Sequence, residues 1–211
     1  MYRPIEPIRP NMNIPTNLNS WEIINGAIIL ITAVLAAFLI AKYAEKRWQG
    51  DSRKLTIAYI GIVSVMSVLL FYFFGLSAIT LKGQILCLIL LISSYSDIKT
   101  RECDDWLHVM IVIAGLIGTN INLIPKMIIS SLAVGGVMLI PVIFADSNLG
   151  GADIKCAAVC TFMLGLEKGI IGLTIGLILG IIFNIFVFKN RKDGFPLIPY
   201  LTAGYLTAYF I

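Results

Sequence analysis

Apolar residues in this chain do not alternate with polar ones; they gather into long runs separated by short polar breaks. The runs lie at about 21–41, 55–75, 78–96, 106–124, 126–145, 154–166, 168–188 and 195–211, and the main breaks are Lys42–Lys54, Asp97–Asp105, Asp146–Gly151 and Lys189–Gly194. A helix rises about 1.5 Å per residue, so about 20 apolar residues match the ~30 Å hydrocarbon core of a bilayer. The pattern predicts an all-α, polytopic transmembrane helical bundle of about eight spans. Residues 1–20, with Pro4, Pro7, Pro10 and Pro15, read as a polar N-terminal tail and lack the basic-then-apolar order of a cleavable signal peptide.

Composition narrows the class. Of the 211 residues, 58% are hydrophobic and 13% charged, against roughly 25% charged in a soluble domain. A water-soluble globule is thereby excluded. The net charge of +4, from 16 Lys and Arg against 12 Asp and Glu, reads as membrane topology, with no nucleic-acid partner. The side holding the four breaks carries Lys42, Lys46, Arg47, Arg53, Lys54, Lys99, Arg101, Lys155, Lys189, Arg191 and Lys192, which is 11 of the 16 basic residues. That side is expected to be cytoplasmic in a cell membrane, with both chain ends outside. Trp21, Tyr43 and Trp48 read as interfacial anchors of the first span. Cys87, Cys103, Cys156 and Cys160 form no C-x-x-C pair and a single His is present, so the sequence supports no metal site and no disulfide framework.

Two carboxylates stand apart from the loops. Asp97 ends the third run in ISSYSDIKTRE, and Asp153 opens the sixth in NLGGADIKCAA, 56 residues later. The two intervening runs form one helical hairpin, which returns the chain to the same membrane face. Asp97 follows Lys82 by 15 residues and Asp153 precedes Lys168 by 15, or about 22 Å of helix in each case. If the lysines mark one boundary, both acids lie at one depth, several ångströms inside the other.

Ionisable groups at that depth are costly and point to function. If the two approach closely, both cannot stay ionised and the pair shares a proton. That is what aspartyl proteolysis requires: one carboxylate takes a proton from water, the other polarises the scissile carbonyl, and no metal or cofactor is needed. The alternative is two interfacial helix-end residues, with Asp153 at the positive end of its helix and Asp97 solvated. Gly150 and Gly151 allow either an ordinary loop or the close approach of an extended substrate.

Other residues carry two readings each. Lys155 is two positions after Asp153, so the side chains diverge on a helix; it reads as an interfacial anchor or as local compensation of negative charge. Glu102, Asp104, Asp105 and Asp146 are solvated loop residues or an attractor for a basic peptide. His108 reads as hydrogen-bonded packing. Cys156 and Cys160, four apart on one helix face, read as packing. The glycines of Gly172–Gly180 are spaced for close helix contact.

Asp97-Ile98-Lys99-Thr100-Arg101-Glu102, with Asp105-Trp106-Leu107, and Gly150-Gly151-Ala152-Asp153-Ile154-Lys155 together resemble the two aspartate motifs of the GxGD intramembrane aspartyl proteases. Within that class the chain is most similar to the type IV prepilin peptidases and the archaeal preflagellin peptidases. The resemblance covers about residues 78–211, and Phe195-Pro196-Leu197-Ile198-Pro199 is similar to the start of the family's last helix. Ala152 stands where the stricter pattern has Gly, and the G-G-A-D-x-K form is similar to archaeal members.

The resemblance implies catalytic Asp97 and Asp153, a motif and substrate-binding loop of Gly150, Gly151, Ala152, Lys155, Glu102 and Asp105, and no cofactor or metal. The implied substrates are pilin-like or flagellin-like precursors, cut at a short basic leader beside the cytoplasmic membrane border, with membrane lipid as the other partner. Larger bacterial members add a cytoplasmic domain with C-x-x-C motifs and methylate the new terminus; Lys42–Lys54 is too short for it, so cleavage without methylation is expected. The domains are then a tail at 1–20, two additional helices at 21–75 and a six-helix protease core at 76–211. The rival readings are a proton- or cation-coupled transporter using the two acids as a relay, and a non-enzymatic assembly subunit.

Overall fold

The computed structural model describes residues 20–48, 52–144, 150–187 and 195–211. The polar tail, Asp146 and the basic residues Lys189, Arg191 and Lys192 lie outside the described residues. Eight α-helices occur among the described residues: α1 (Ser20–Trp48), α2 (Ser52–Phe74), α3 (Ala78–Thr100), α4 (Asp105–Leu116), α5 (Ile124–Phe144), α6 (Gly151–Leu164), α7 (Leu166–Val187) and α8 (Ile198–Ala208), with a 3₁₀ turn at Ile121–Leu123 leading into α5. No strand occurs among the described residues, and the protein is the all-α polytopic bundle that the apolar runs predict. Five stretches are long and apolar enough to cross a membrane: Ile23–Trp48, Arg53–Phe74, Ala78–Thr100, Ile121–Phe144 and Leu166–Phe186.

The elements differ from the runs in instructive ways. Helix α1 continues through Lys42–Trp48, where the sequence predicts a break, since nothing in that stretch stops a helix and Lys42 pairs with Glu45 at 2.9 Å on its surface. The fourth run, expected to reach residue 124, ends as a helix at Leu116; Gly118 then takes a φ of 62°, a left-handed turn that a glycine adopts without strain. Gly165, at φ 85°, likewise separates α6 from α7. The estimate of depth along a single helix therefore holds from Lys82 to Asp97 within α3, but not from Asp153 to Lys168. Helices α4, α6 and α8, of 12, 14 and 11 residues, rise only about 16–21 Å, so three of the eight expected spans are short helices.

Helix α3 is the centre of the bundle, in contact with α1, α2, α4 and α8. Its buried residues include Leu86, Ile89, Leu90, Leu91, Ile92 and Ser96, which point in several directions around the axis. A soluble amphipathic helix would bury one stripe; a helix enclosed by neighbours buries most of its circumference. By contrast Ile31, Leu35 and Leu39 of α1, Ile129 and Leu132 of α5 and Phe186 of α7 are exposed. So much outward-facing apolar surface is what a lipid solvent accepts and water does not. Helices α1 and α2 pack on each other and on α3, where the Tyr59 hydroxyl donates to the Leu91 carbonyl at 2.8 Å.

Helix α8 is seated along α7 by glycines, as the Gly172–Gly180 spacing predicts. A Cβ placed on Gly176 would stand 2.8 Å from the Leu201 Cα, and one on Gly180 would stand 2.9 Å from Leu197. Gly204 of α8 faces the backbone of Gly172 and Gly176 in return. Backbones this close gain dispersion contact that larger residues would prevent. Gly204→Val should therefore cost about 1–3 kcal/mol through overpacking, read as a lowered melting temperature in detergent. Gly61→Ala, with nothing within 4 Å of its new Cβ, should leave the melting temperature unchanged or slightly higher.

Candidate active site

The last turn of α3 carries Asp97, and the helix stops one turn later. Arg101 takes a left-handed conformation at φ 60°, and its N–H donates to the Asp97 carbonyl at 3.0 Å. A non-glycine residue there costs about 1–2 kcal/mol. The gain is a sharp stop: Arg101–Asp104 turn directly into α4, and the Ser96 hydroxyl donates to the Glu102 carbonyl at 2.7 Å to hold the turn.

A carboxylate at a helix C-terminus faces the negative end of the helix dipole. The compensation comes from the far end of the chain. The Ile198 N–H, at the start of α8, donates to Asp97 Oδ2 at 3.0 Å. Pro196 and Pro199 flank that segment and carry no N–H of their own, and the side chain of Ile198 is fully buried. The first amides of a helix are unpaired within it and point at an anion.

Asp153 lies in the first turn of α6, one turn from Gly150, which precedes the helix in extended conformation. A Cβ on Gly150 would stand 2.9 Å from Asp153 Oδ2, so only glycine leaves this side chain its place. Asp97 and Asp153 are 6% and 8% exposed, and the two lie near enough for the charge of Asp97 to act on Asp153. Asp153 Oδ1 has no hydrogen-bond partner among the described residues. Two buried carboxylates from separate helices thus share one end of the bundle, with one oxygen left for a further group.

The remaining predicted residues divide. Gly151 begins α6 and Ala152 is half-buried beside it. Lys155 does not reach Asp153; its ammonium donates to Asp105 Oδ1 at 2.7 Å, joining α6 to α4. Asp105 is therefore a partner within the fold. Asp104 accepts from the Trp106 indole at 3.2 Å and stands 4.0 Å from Arg47, while the Glu102 side chain is exposed. His108 is buried as expected, but neither ring nitrogen has a hydrogen-bond partner among the described residues. Its Nδ1 is 3.9 Å from Asp105 Oδ1. Cys156 and Cys160 are both buried.

Two participants escaped the sequence. One is the Ile198 amide, invisible because every non-proline residue carries one; the Pro-x-x-Pro frame around it was the available signal. The other is Cys103, between α3 and α4, which lies within electrostatic reach of Asp97, Asp104 and Cys156.

With this geometry in place, the class is a polytopic helical membrane protein carrying a buried pair of aspartates. Residues 84–185 match the model of the type IV leader peptidase family, which supports the resemblance carried by the two aspartate motifs. The matched stretch contains both aspartates and ends before α8. No curated protein and no solved structure matches the chain.

Cys103 offers a probe of the site in the folded protein. Cys87, Cys156 and Cys160 are buried, whereas Cys103 is half-exposed. Burial pushes its thiol up to about 12, and the charges of Asp97 and Asp104 act in the same direction. Because the thiolate is the reactive form, alkylation at Cys103 should accelerate about tenfold per pH unit from about pH 7 to about pH 10. Mass spectrometry should find a single adduct, lost in Cys103→Ser; a rate plateau below about pH 9 would contradict this placement.

Proposed function

We propose that this peptidase is an aspartic endopeptidase whose dyad is Asp97 and Asp153. The observation that supports the reading is that two buried carboxylates, from α3 and α6, lie near enough for the charge of Asp97 to act on Asp153. In this reading Asp97, held by the Ile198 amide, is the ionised member. It accepts a proton from a water as the water oxygen bonds to the scissile carbonyl carbon. Asp153 carries the shared proton and donates it to the carbonyl oxygen. When the tetrahedral carbon collapses, the C–N bond breaks, the proton on Asp97 passes to the leaving amine, and one diol hydroxyl returns its proton to Asp153 as the carbonyl reforms.

The substrates that fit are pilin-like or flagellin-like precursors, whose family relationship is to leader processing. A short basic leader ahead of an apolar segment would place the segment among the helices and the leader at the end where Asp97 and Asp153 lie. Asp105 and Asp104 are engaged with Lys155 and with Trp106, so Glu102 is the acidic side chain with most freedom to meet a basic residue. That end is assigned to the cytoplasmic side from the basic-residue bias, with cleavage and no methylation as the activity. Gly150 and the first two residues of α6, Gly151 and Ala152, form the edge beside which the scissile strand lies. Residues 21–75 add two helices against a protease core of residues 76–211.

Coexpression of a pilin-like or flagellin-like precursor with the chain should shift the precursor to the processed size on a gel. Asp97→Asn and Asp153→Asn should each reduce processing at least about 100-fold, in the range of about 10²–10⁴ that general acid–base groups supply, while both variants still insert in the membrane. Full processing by either variant would overturn the dyad.

A further inference from the structure

At the end of the bundle away from the aspartates, α3 and α7 each bring a lysine to one cavity. Its volume is about 80 Å³, and Lys82, Lys168, Phe74, Ile79, Met163 and Tyr209 are among its walls. A single water needs only about 10–15 Å³ of such space, so a group of several atoms fits. Lys82 and Asp97 are 15 residues apart on one continuous helix, which sets the cavity about 22 Å from the dyad.

The lining is cationic without an internal counterion. None of the lining residues bears a carboxylate, and the neighbouring Glu167 is not among them. The lysines are instead engaged with neutral oxygens. Lys82 Nζ donates to the Gly115 carbonyl at 3.0 Å and to Thr119 Oγ1 at 2.5 Å, and Lys168 Nζ donates to the Tyr209 carbonyl at 3.3 Å. Each ammonium has three N–H donors, so three of the six remain for a ligand. The Tyr209 hydroxyl is occupied with the Ile79 carbonyl at 2.5 Å. Phe74 stacks with Phe210 at 6.0 Å, giving the rim the aromatic character typical of the membrane interface.

We propose that this cavity is a binding site for a phosphate group, held between Lys82 and Lys168 in the leaflet opposite the aspartates. Two partly desolvated ammonium groups with spare donors supply the charge and the hydrogen bonds that a phosphate oxygen accepts. The apolar walls formed by Ile79 and Met163 suit the start of an acyl-glycerol chain. The phosphate can come from a phospholipid headgroup or from free phosphate, and the two sources are separable.

The solubilised full chain is titrated with dioctanoyl phosphatidylglycerol, with dioctanoylglycerol, which has the same tails and no phosphate, and with sodium phosphate, and bound ligand is counted by native mass spectrometry. The phosphatidylglycerol should bind at least tenfold more tightly than dioctanoylglycerol. The variant K82Q/K168Q should lose that preference, and K82R/K168R, which keeps both charges, should retain it. Saturable binding of sodium phosphate at comparable affinity would assign the site to the free anion, and its absence to the lipid; either supports the phosphate site. Equal affinity for phosphatidylglycerol and dioctanoylglycerol in the unsubstituted chain would overturn it, as would an undiminished preference in K82Q/K168Q. None of these readouts depends on peptidase activity.

Discussion

The hydrogen bond from the Ile198 amide to Asp97 is the contact on which the site's geometry depends. It spans 101 residues of sequence and joins the end of α3 to the beginning of α8. Without it, a buried carboxylate would face the negative end of its own helix with little to offset the loss of water. With it, the acid rests on the positive end of another. Asp153 reaches an equivalent situation more locally, in the first turn of α6. Both members of the pair thus lie against helix N-termini, whose unpaired N–H groups offset part of the cost of burying acidic groups.

That contact is only as well placed as α8, and α8 is placed by small residues. Gly172, Gly176 and Gly180 let α8 lie against the α7 backbone, and the Ser94 and Thr202 hydroxyls meet at 2.7 Å to tie α8 to α3. The chain of cause runs from glycine spacing, to close helix packing, to the position of one N–H, to the environment of a carboxylate. Lys155 and Asp105 fasten the other side, joining the start of α6 to the start of α4. The salt bridge is exposed and contributes orientation more than energy.

What was legible in the sequence is what lipid forces onto side chains. Long apolar runs disclose helices, since no other backbone arrangement here can satisfy itself in hydrocarbon. Acids at the ends of such runs, within the depth of the bilayer, draw notice because they are expensive there, as Asp97 and Asp153 do. The glycine stripe was visible by its interval. Harder to read were features that depend on the backbone or on meetings across the bundle. The Ile198 amide has no signature in its side chain. Lys155 finds Asp105 only because α4 and α6 happen to adjoin, and the helix ends at Leu116 and Leu164 follow from glycines that, inside an apolar run, look like any other small residue. His108 illustrates the converse: its burial followed from its place in a run, whereas its want of a hydrogen-bond partner did not.

Helix α3 is fixed at both extremities, by Lys82 to the end of α4 and by Asp97 to the start of α8. Such a helix behaves as a shaft keyed at top and bottom. Advancing it by one residue would translate it by about 1.5 Å and turn it through about 100°, withdrawing both keys at once. Torsion or sliding imposed at one membrane surface is therefore resisted at the other, and the two ends of the molecule form one mechanical unit.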